Sequence, residues 1–181
     1  MNIEHYTQIT SIKAYRATRD YYKLRAFEDA EFLGSLVAIG CDLQDKFHYK
    51  ALSILELVAE ERIALFLPYL DQFCSVLSKF TQDPAVRPAS KICLFLATKK
   101  GVVLTPFQEA KIIEGCLDFI IRDAKVATVA YALRTLFRLG QKQDWVHDEL
   151  RQLLSRELSN PSPGMKFVVK ETLQRLGNDR V

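Results

Sequence analysis

Counted from Asp45, Asp83, Asp123 and Ser162, which stand 38, 40 and 39 residues apart, positions four, eight and eleven collect cations and aromatic rings. They read Tyr49, Ser53 and Glu56, then Arg87, Lys91 and Leu94, then Ala127, Tyr131 and Arg134, and last Lys166, Lys170 and Leu173. Spacings of four and seven put such residues on one face of a helix. Lys50 and Arg138 fall at the edges of that face. From Arg87 onward the row is basic, with Tyr131 in its middle, and a face of this kind can hold an anion. The same lysines also fit an ordinary solvated helix exterior, where lysine is the default occupant.

A second group stands near the start. The stretch KAYRATRDYYKLR, 13–25, interleaves Tyr15, Tyr21 and Tyr22 with Lys13, Arg16, Arg19, Lys23 and Arg25. Basic residues among aromatics can bind phosphates and stack on exposed bases. A terminal helix that covers its neighbour with one face and keeps tyrosine hydroxyls wet on the other uses the same residue types.

Catalytic chemistry finds little support. Cys41, Cys74, Cys93 and Cys116 lie 33, 19 and 23 residues apart, without a C-x-x-C or C-x-x-H pair. Neither zinc nor a redox pair is expected, and each thiol sits in an apolar helical context where cysteine packs as a small hydrophobe. His5, His48 and His147 are scattered, and His48 occupies a position taken by valine or methionine after the other three caps. No G-x-S-x-G, glycine-rich phosphate loop or H-E-x-x-H is present, so no catalytic residue, cofactor or metal ligand is assigned.

Composition bounds the alternatives. The 181 residues are 49% apolar and 26% charged, ordinary for a globular chain and unlike a disordered one. No apolar run approaches the roughly 18 residues of a membrane span, and residues 1–19 are too polar for a signal peptide, so a cytoplasmic protein is expected. Residues 1–90 carry 10 Lys and Arg against 12 Asp and Glu, whereas residues 91–181 carry 15 against 10. That asymmetry permits an acidic partner without demanding one.

The elements that must position these residues are helices. Almost every segment has the 3.6-residue apolar period, and none alternates with period two. An opening helix is expected over 9–26, followed by helix pairs at 30–43 and 47–60, 62–80 and 84–98, 106–122 and 124–139, and 145–158 and 163–176. Thr105 before Pro106 is a strong start signal, while Gly140 and Gly177 read as left-handed stops. A fixed period near 39 residues predicts a solenoid of helical hairpins.

The stretch LPYLDQFCSVLSKFTQDPAVRPASKICLFL, 67–96, resembles a HEAT repeat: a first helix kinked by a proline, here Pro68, then D-P-x-V-R opening a second helix with an alanine near its start. Weaker echoes are DKFHYKALSIL, DAKVATVAYAL and SPGMKFVVKETL, with Ala127 and Lys166 where the arginine would be. The resemblance covers about residues 30–177. It implies an all-α fold, an α-α superhelix of about four helical hairpins with an N-terminal cap helix, as a single domain over 1–181 with repeats at about 30–60, 62–98, 106–140 and 144–177. It also implies that the second helices line the concave side, and that Asp83 and Arg87 form a structural ladder between neighbouring repeats.

The expected function is a non-catalytic protein-binding or scaffold module that uses the concave face through Tyr49, Lys50, Arg87, Lys91, Tyr131, Arg134, Lys166 and Lys170. A protein or peptide is the expected partner, with no membrane, and the sequence assigns no oligomeric state. The alternative is nucleic-acid binding through the same basic stripe, at its extreme a HEAT-like DNA glycosylase. Against that extreme, Trp145 is the chain's one tryptophan and no acidic candidate stands beside the stripe. An adenylosuccinate lyase assignment is unsupported, since nothing resembles that enzyme's S-S-x-M-P-x-K-x-N loop.

Overall fold

The computed structural model describes residues 2–122, 125–156 and 162–178. Within them the chain forms ten α-helices and no strand: α1 (Ile3–Ser11), α2 (Arg16–Glu28), α3 (Ala30–Gly40), α4 (His48–Arg62), α5 (Leu70–Val76), α6 (Asp83–Thr98), α7 (Pro106–Ile121), α8 (Val126–Gly140), α9 (Asp144–Arg156) and α10 (Pro163–Asn178). The expected cap Asp123 and the expected helix ends Ala124 and Leu158 lie outside the described residues. Among the described residues no helix is long and apolar enough to cross a membrane.

Two expected helices are broken. The opening one divides into α1 and α2, with buried Ile12 at the bend. The hydroxyls of Thr10 and Ser11 donate to the carbonyls of Thr7 and Gln8, and the Lys50 ammonium takes the Thr10 carbonyl, so the end of α1 is satisfied without a further turn. Residues 62–80 form α5 flanked by 3-10 turns at Ile63–Leu65, Leu67–Tyr69 and Leu77–Lys79. Pro68 has no N–H and its ring would clash with the carbonyl four residues back, so the chain tightens to bonds such as Phe66 N to Ile63 O, 2.9 Å, and Tyr69 N to Phe66 O, 3.0 Å. The apolar period survives the break: Phe66, Leu70, Phe73, Leu77 and Phe80 are all buried.

Caps follow the sequence in part. Thr105 Oγ1 accepts from Gln108 N at 3.2 Å while Gln108 Oε1 accepts from Thr105 N at 3.0 Å, a complete capping box. Gln108 also donates to Asp71 Oδ1 at 2.8 Å, fastening α7 to α5. Ser162 Oγ accepts from Met165 N at 3.3 Å. Asp45 instead forms a turn, accepting from Phe47 N at 2.7 Å, and α4 begins after it. Asp83 is no cap either: Gln82 holds that position, and the Asp83 carboxylate pairs with Lys125 at 2.8 Å, not with Arg87. Gly140 and Gly177 are helical; the left-handed glycine is Gly101, φ 81°, in the α6–α7 connection.

The even-numbered helices pack in chain order, α2 on α4, α4 on α6, α6 on α8 and α8 on α10. Helix α6, between α4 and α8, buries half of its sixteen residues. Small side chains permit that: Ala85, Ala89, Ser90 and Cys93 are all buried. On the other side α3 packs on α4, α5 on α7, α7 on α8, and α9 on α8 and α10. All four cysteines are free and buried. Burial pushes the Cys41 and Cys74 thiols up to about 12, and Cys93 is raised by its own burial and by the neighbouring Cys116.

Candidate partner-binding cleft

The residues expected to form one basic stripe divide into three groups. Lys91 and Arg134 are neutralised. Lys91 Nζ lies 2.9 Å from Glu56 Oε1 and 3.3 Å from Glu60 Oε2, and Arg134 Nη2 lies 3.1 Å from Glu171 Oε2. Burial draws the Lys91 ammonium pKa down, but hydrogen bonds and charge from Glu56 and Glu60 outweigh it and leave the group above its ordinary range. Lys50 is tied to the Thr10 carbonyl and sits over the Phe47 ring. Arg138, expected at the edge of the stripe, bonds Gln141 and lines a different depression beside Leu104 and Glu109. Tyr131 is half-buried in α8, and Lys166 and Lys170 are exposed on α10.

The opening segment divides in the same way. Arg16 pairs with Asp20 at 2.9 Å, Lys23 with Glu61 at 2.6 Å and Arg25 with Asp29 at 3.5 Å. The hydrogen bond from Arg16, against the opposing cost of burial, holds the Asp20 carboxyl below its ordinary range. Arg19 has no such partner: its Nε is buried and makes no hydrogen bond.

Arg19 and Arg87 meet over α4. A cleft of about 330 Å³ is walled by Ile12, Ala14, Tyr49 and Pro84, with Lys13, Arg19, Lys50, Ser53 and Arg87 supplying its polar lining. A second depression of about 210 Å³ adjoins it, shares Arg19, Ser53, Pro84 and Arg87, and adds Glu56, Asp83, Pro88, Lys125 and Thr128. Of these charges, Glu56 is held by Lys91 and Asp83 by Lys125. Lys13, Arg19 and Arg87 are in no ion pair among the described residues. Lys50 is tied only to a neutral carbonyl, so four cations share one cleft without an ion-pair partner among the described residues, which raises the local potential and favours an incoming anion.

Thus Tyr49, Lys50 and Arg87 come together, while Lys91, Tyr131, Arg134, Lys166 and Lys170 do not line this cleft. Lys13 and Arg19 join it from a segment that sequence reading treats separately. A sequence signal for the neutralised pair existed: Glu56 stands 35 residues before Lys91 and Glu171 stands 37 after Arg134, each close to one period.

One further constellation could not be assembled from spacing. His5 Nδ1 is 2.9 Å from Ser35 Oγ, and His5 Nε2 is 3.9 Å from Asp29 Oδ2. It resembles a Ser-His-Asp triad only in composition. The Ser35 hydroxyl donates to the Glu31 carbonyl at 3.0 Å, so its oxygen accepts from the imidazole, the reverse of nucleophile activation. Asp29 meanwhile caps α3 by accepting from Phe32 N at 2.9 Å. His48 stacks on Phe80 and His147 on Phe137, both buried.

Compared with known proteins, the chain matches no family model, no curated protein and no solved structure.

Proposed function

We propose that this chain is a non-catalytic helical-repeat module of HEAT-like, α-α superhelical type that holds a protein partner on the face formed by α2, α4, α6 and α8. The ordered packing of the even-numbered helices supports a solenoid of stacked hairpins, with α1 and α2 as its N-terminal cap. A cytoplasmic setting accords with four free thiols. The observation that carries the proposal is the pair Arg19 and Arg87, in no ion pair among the described residues and lining one cleft that also has apolar walls.

That mixture suits a protein better than a nucleic acid. Phosphate tracking needs a continuous row of available cations, and Lys91 and Arg134 in the middle of the row are bound to Glu56 and Glu171. Apolar surface from Ile12, Tyr49 and Pro84 between the arginines offers the desolvated contact that protein interfaces use.

Affinity capture from the protein's own cell lysate tests this, with and without nuclease, beside an Arg19→Glu/Arg87→Glu variant. A partner protein that survives nuclease and is lost from the variant is the expected result. Capture of nucleic acid alone, or a partner retained fully by the variant, would show that another function or another surface is at work.

A further inference from the structure

The cleft over α4 also indicates what part of a partner it takes. We propose that it receives an acidic peptide segment whose carboxylates bind Arg19 and Arg87 while its backbone and apolar side chains lie along Tyr49 and Pro84. The proposal rests on the protein-binding role and names the chemistry of the bound segment.

Three observations lead there. First, the charge is uncompensated: Lys13, Arg19 and Arg87 have no anion of their own, although carboxylates elsewhere on the same helices are matched to cations. Guanidinium forks recognise carboxylates through paired, charge-assisted N–H···O bonds. Second, the two arginines come from helices packed on either side of α4 and both line the cleft and the adjoining depression, so a segment lying across the two spaces meets both. An extended peptide can offer a carboxylate to each, since its alternate side chains stand on one side roughly 6 to 7 Å apart. Third, apolar surface from Ile12, Tyr49 and Pro84 lines the cleft beside the arginines and gives a peptide's apolar side chains a contact that a bare phosphate cannot use. The combined space, within the few hundred Å³ typical of ligand sites, accommodates a short segment and not a folded domain.

Fluorescence anisotropy of the full chain with labelled eight-residue peptides decides the matter. The probes are alternating Glu-Ala, the matching Gln-Ala peptide, a Gln-Ala peptide carrying one phosphoserine, and single-stranded DNA of eight nucleotides. The Glu-Ala peptide should bind at least tenfold more tightly than the other three. Arg19→Gln and Arg87→Gln should each weaken it about tenfold, Arg87→Lys should recover part of the loss, and Lys166→Gln/Lys170→Gln should leave it unchanged. Circular dichroism confirms that each variant is folded. Equal binding of the Glu-Ala and Gln-Ala peptides, preference for phosphoserine or DNA, or arginine variants indistinguishable from the native chain overturns the proposal. If these peptides fail while lysate capture still yields a nuclease-resistant partner sensitive to Arg19 and Arg87, the protein-binding role stands and only the acidic-segment inference falls.

Discussion

Lys91 Nζ lies 2.9 Å from the Oε1 of Glu56, whose side chain is 7% exposed between α4 and α6. An unpaired charge at such a site is costly, so the pair holds two helices in register rather than presenting a cation to a partner. Lys91→Met should destabilise the protein by about 3 kcal/mol, the usual effect of stranding a buried charge. For a chain of this size that is a fall in melting temperature on the order of 6 to 12 °C. Adding Glu56→Gln should restore most of it. A Lys91→Met protein that melts with the native one would show that Glu56 is satisfied by other means.

Arg19 and Arg87 should behave in the opposite manner. Neither is in an ion pair among the described residues, so Arg19→Gln and Arg87→Gln each remove repulsion and break no pair. Their unfolding free energies should stay within about 0.5 kcal/mol of the native value or rise slightly. Urea titration distinguishes this from a hidden structural role, which would show as a loss above 1 kcal/mol.

Gly140 is needed for space rather than for backbone conformation. A Cβ built there would collide with Cδ2 and Nε2 of His147, whose ring stacks on Phe137 and bonds the Phe137 carbonyl at 2.9 Å. Alanine improves helix propensity by roughly 1 kcal/mol, yet overpacking against a buried ring costs about 1 to 3 kcal/mol or more. Gly140→Ala should therefore lower stability by about 2 kcal/mol. In a His147→Ala background the same substitution should become neutral or stabilising, which differential scanning calorimetry can check.

The thiols give a pH signature. Burial holds Cys41 and Cys74 protonated up to about 12, whereas in the unfolded chain they ionise near 9. The native state thus binds more protons than the unfolded one between pH 9 and 12. Their contribution is full below pH 9 and declines above it, on the order of 1.4 kcal/mol per pH unit for each thiol. Unfolding free energies from pH 7 to 11 should fall above 9, less steeply in Cys41→Ala/Cys74→Ala. A disulfide reagent at pH 8 should react with none of the four cysteines until denaturant is added; rapid titration of any native thiol would contradict their burial.

Sequence alone determined that the chain is helical and where most helices lie, though not the breaks at Ile12 and around Pro68, because the signals that build a helix are local. An apolar residue every three or four positions, Thr105 and Gln108 spaced for a capping box, and Pro106 in the first turn act within a few residues of one another. It also supplied the 38- to 40-residue spacing of Asp45, Asp83, Asp123 and Ser162, although of the three described residues only Ser162 caps its helix. Tertiary structure alone decided which cations remain available. A lysine has the same pattern on its own helix whether it faces water or a carboxylate, and the deciding partners, Glu56 for Lys91 and Glu171 for Arg134, stand on neighbouring helices 35 and 37 residues away. The cleft, too, joins Arg19 and Arg87 from helices brought together only when α4 packs between them. Charge pairing depends on distance in space, and the chain's local pattern fixes distance only along a helix.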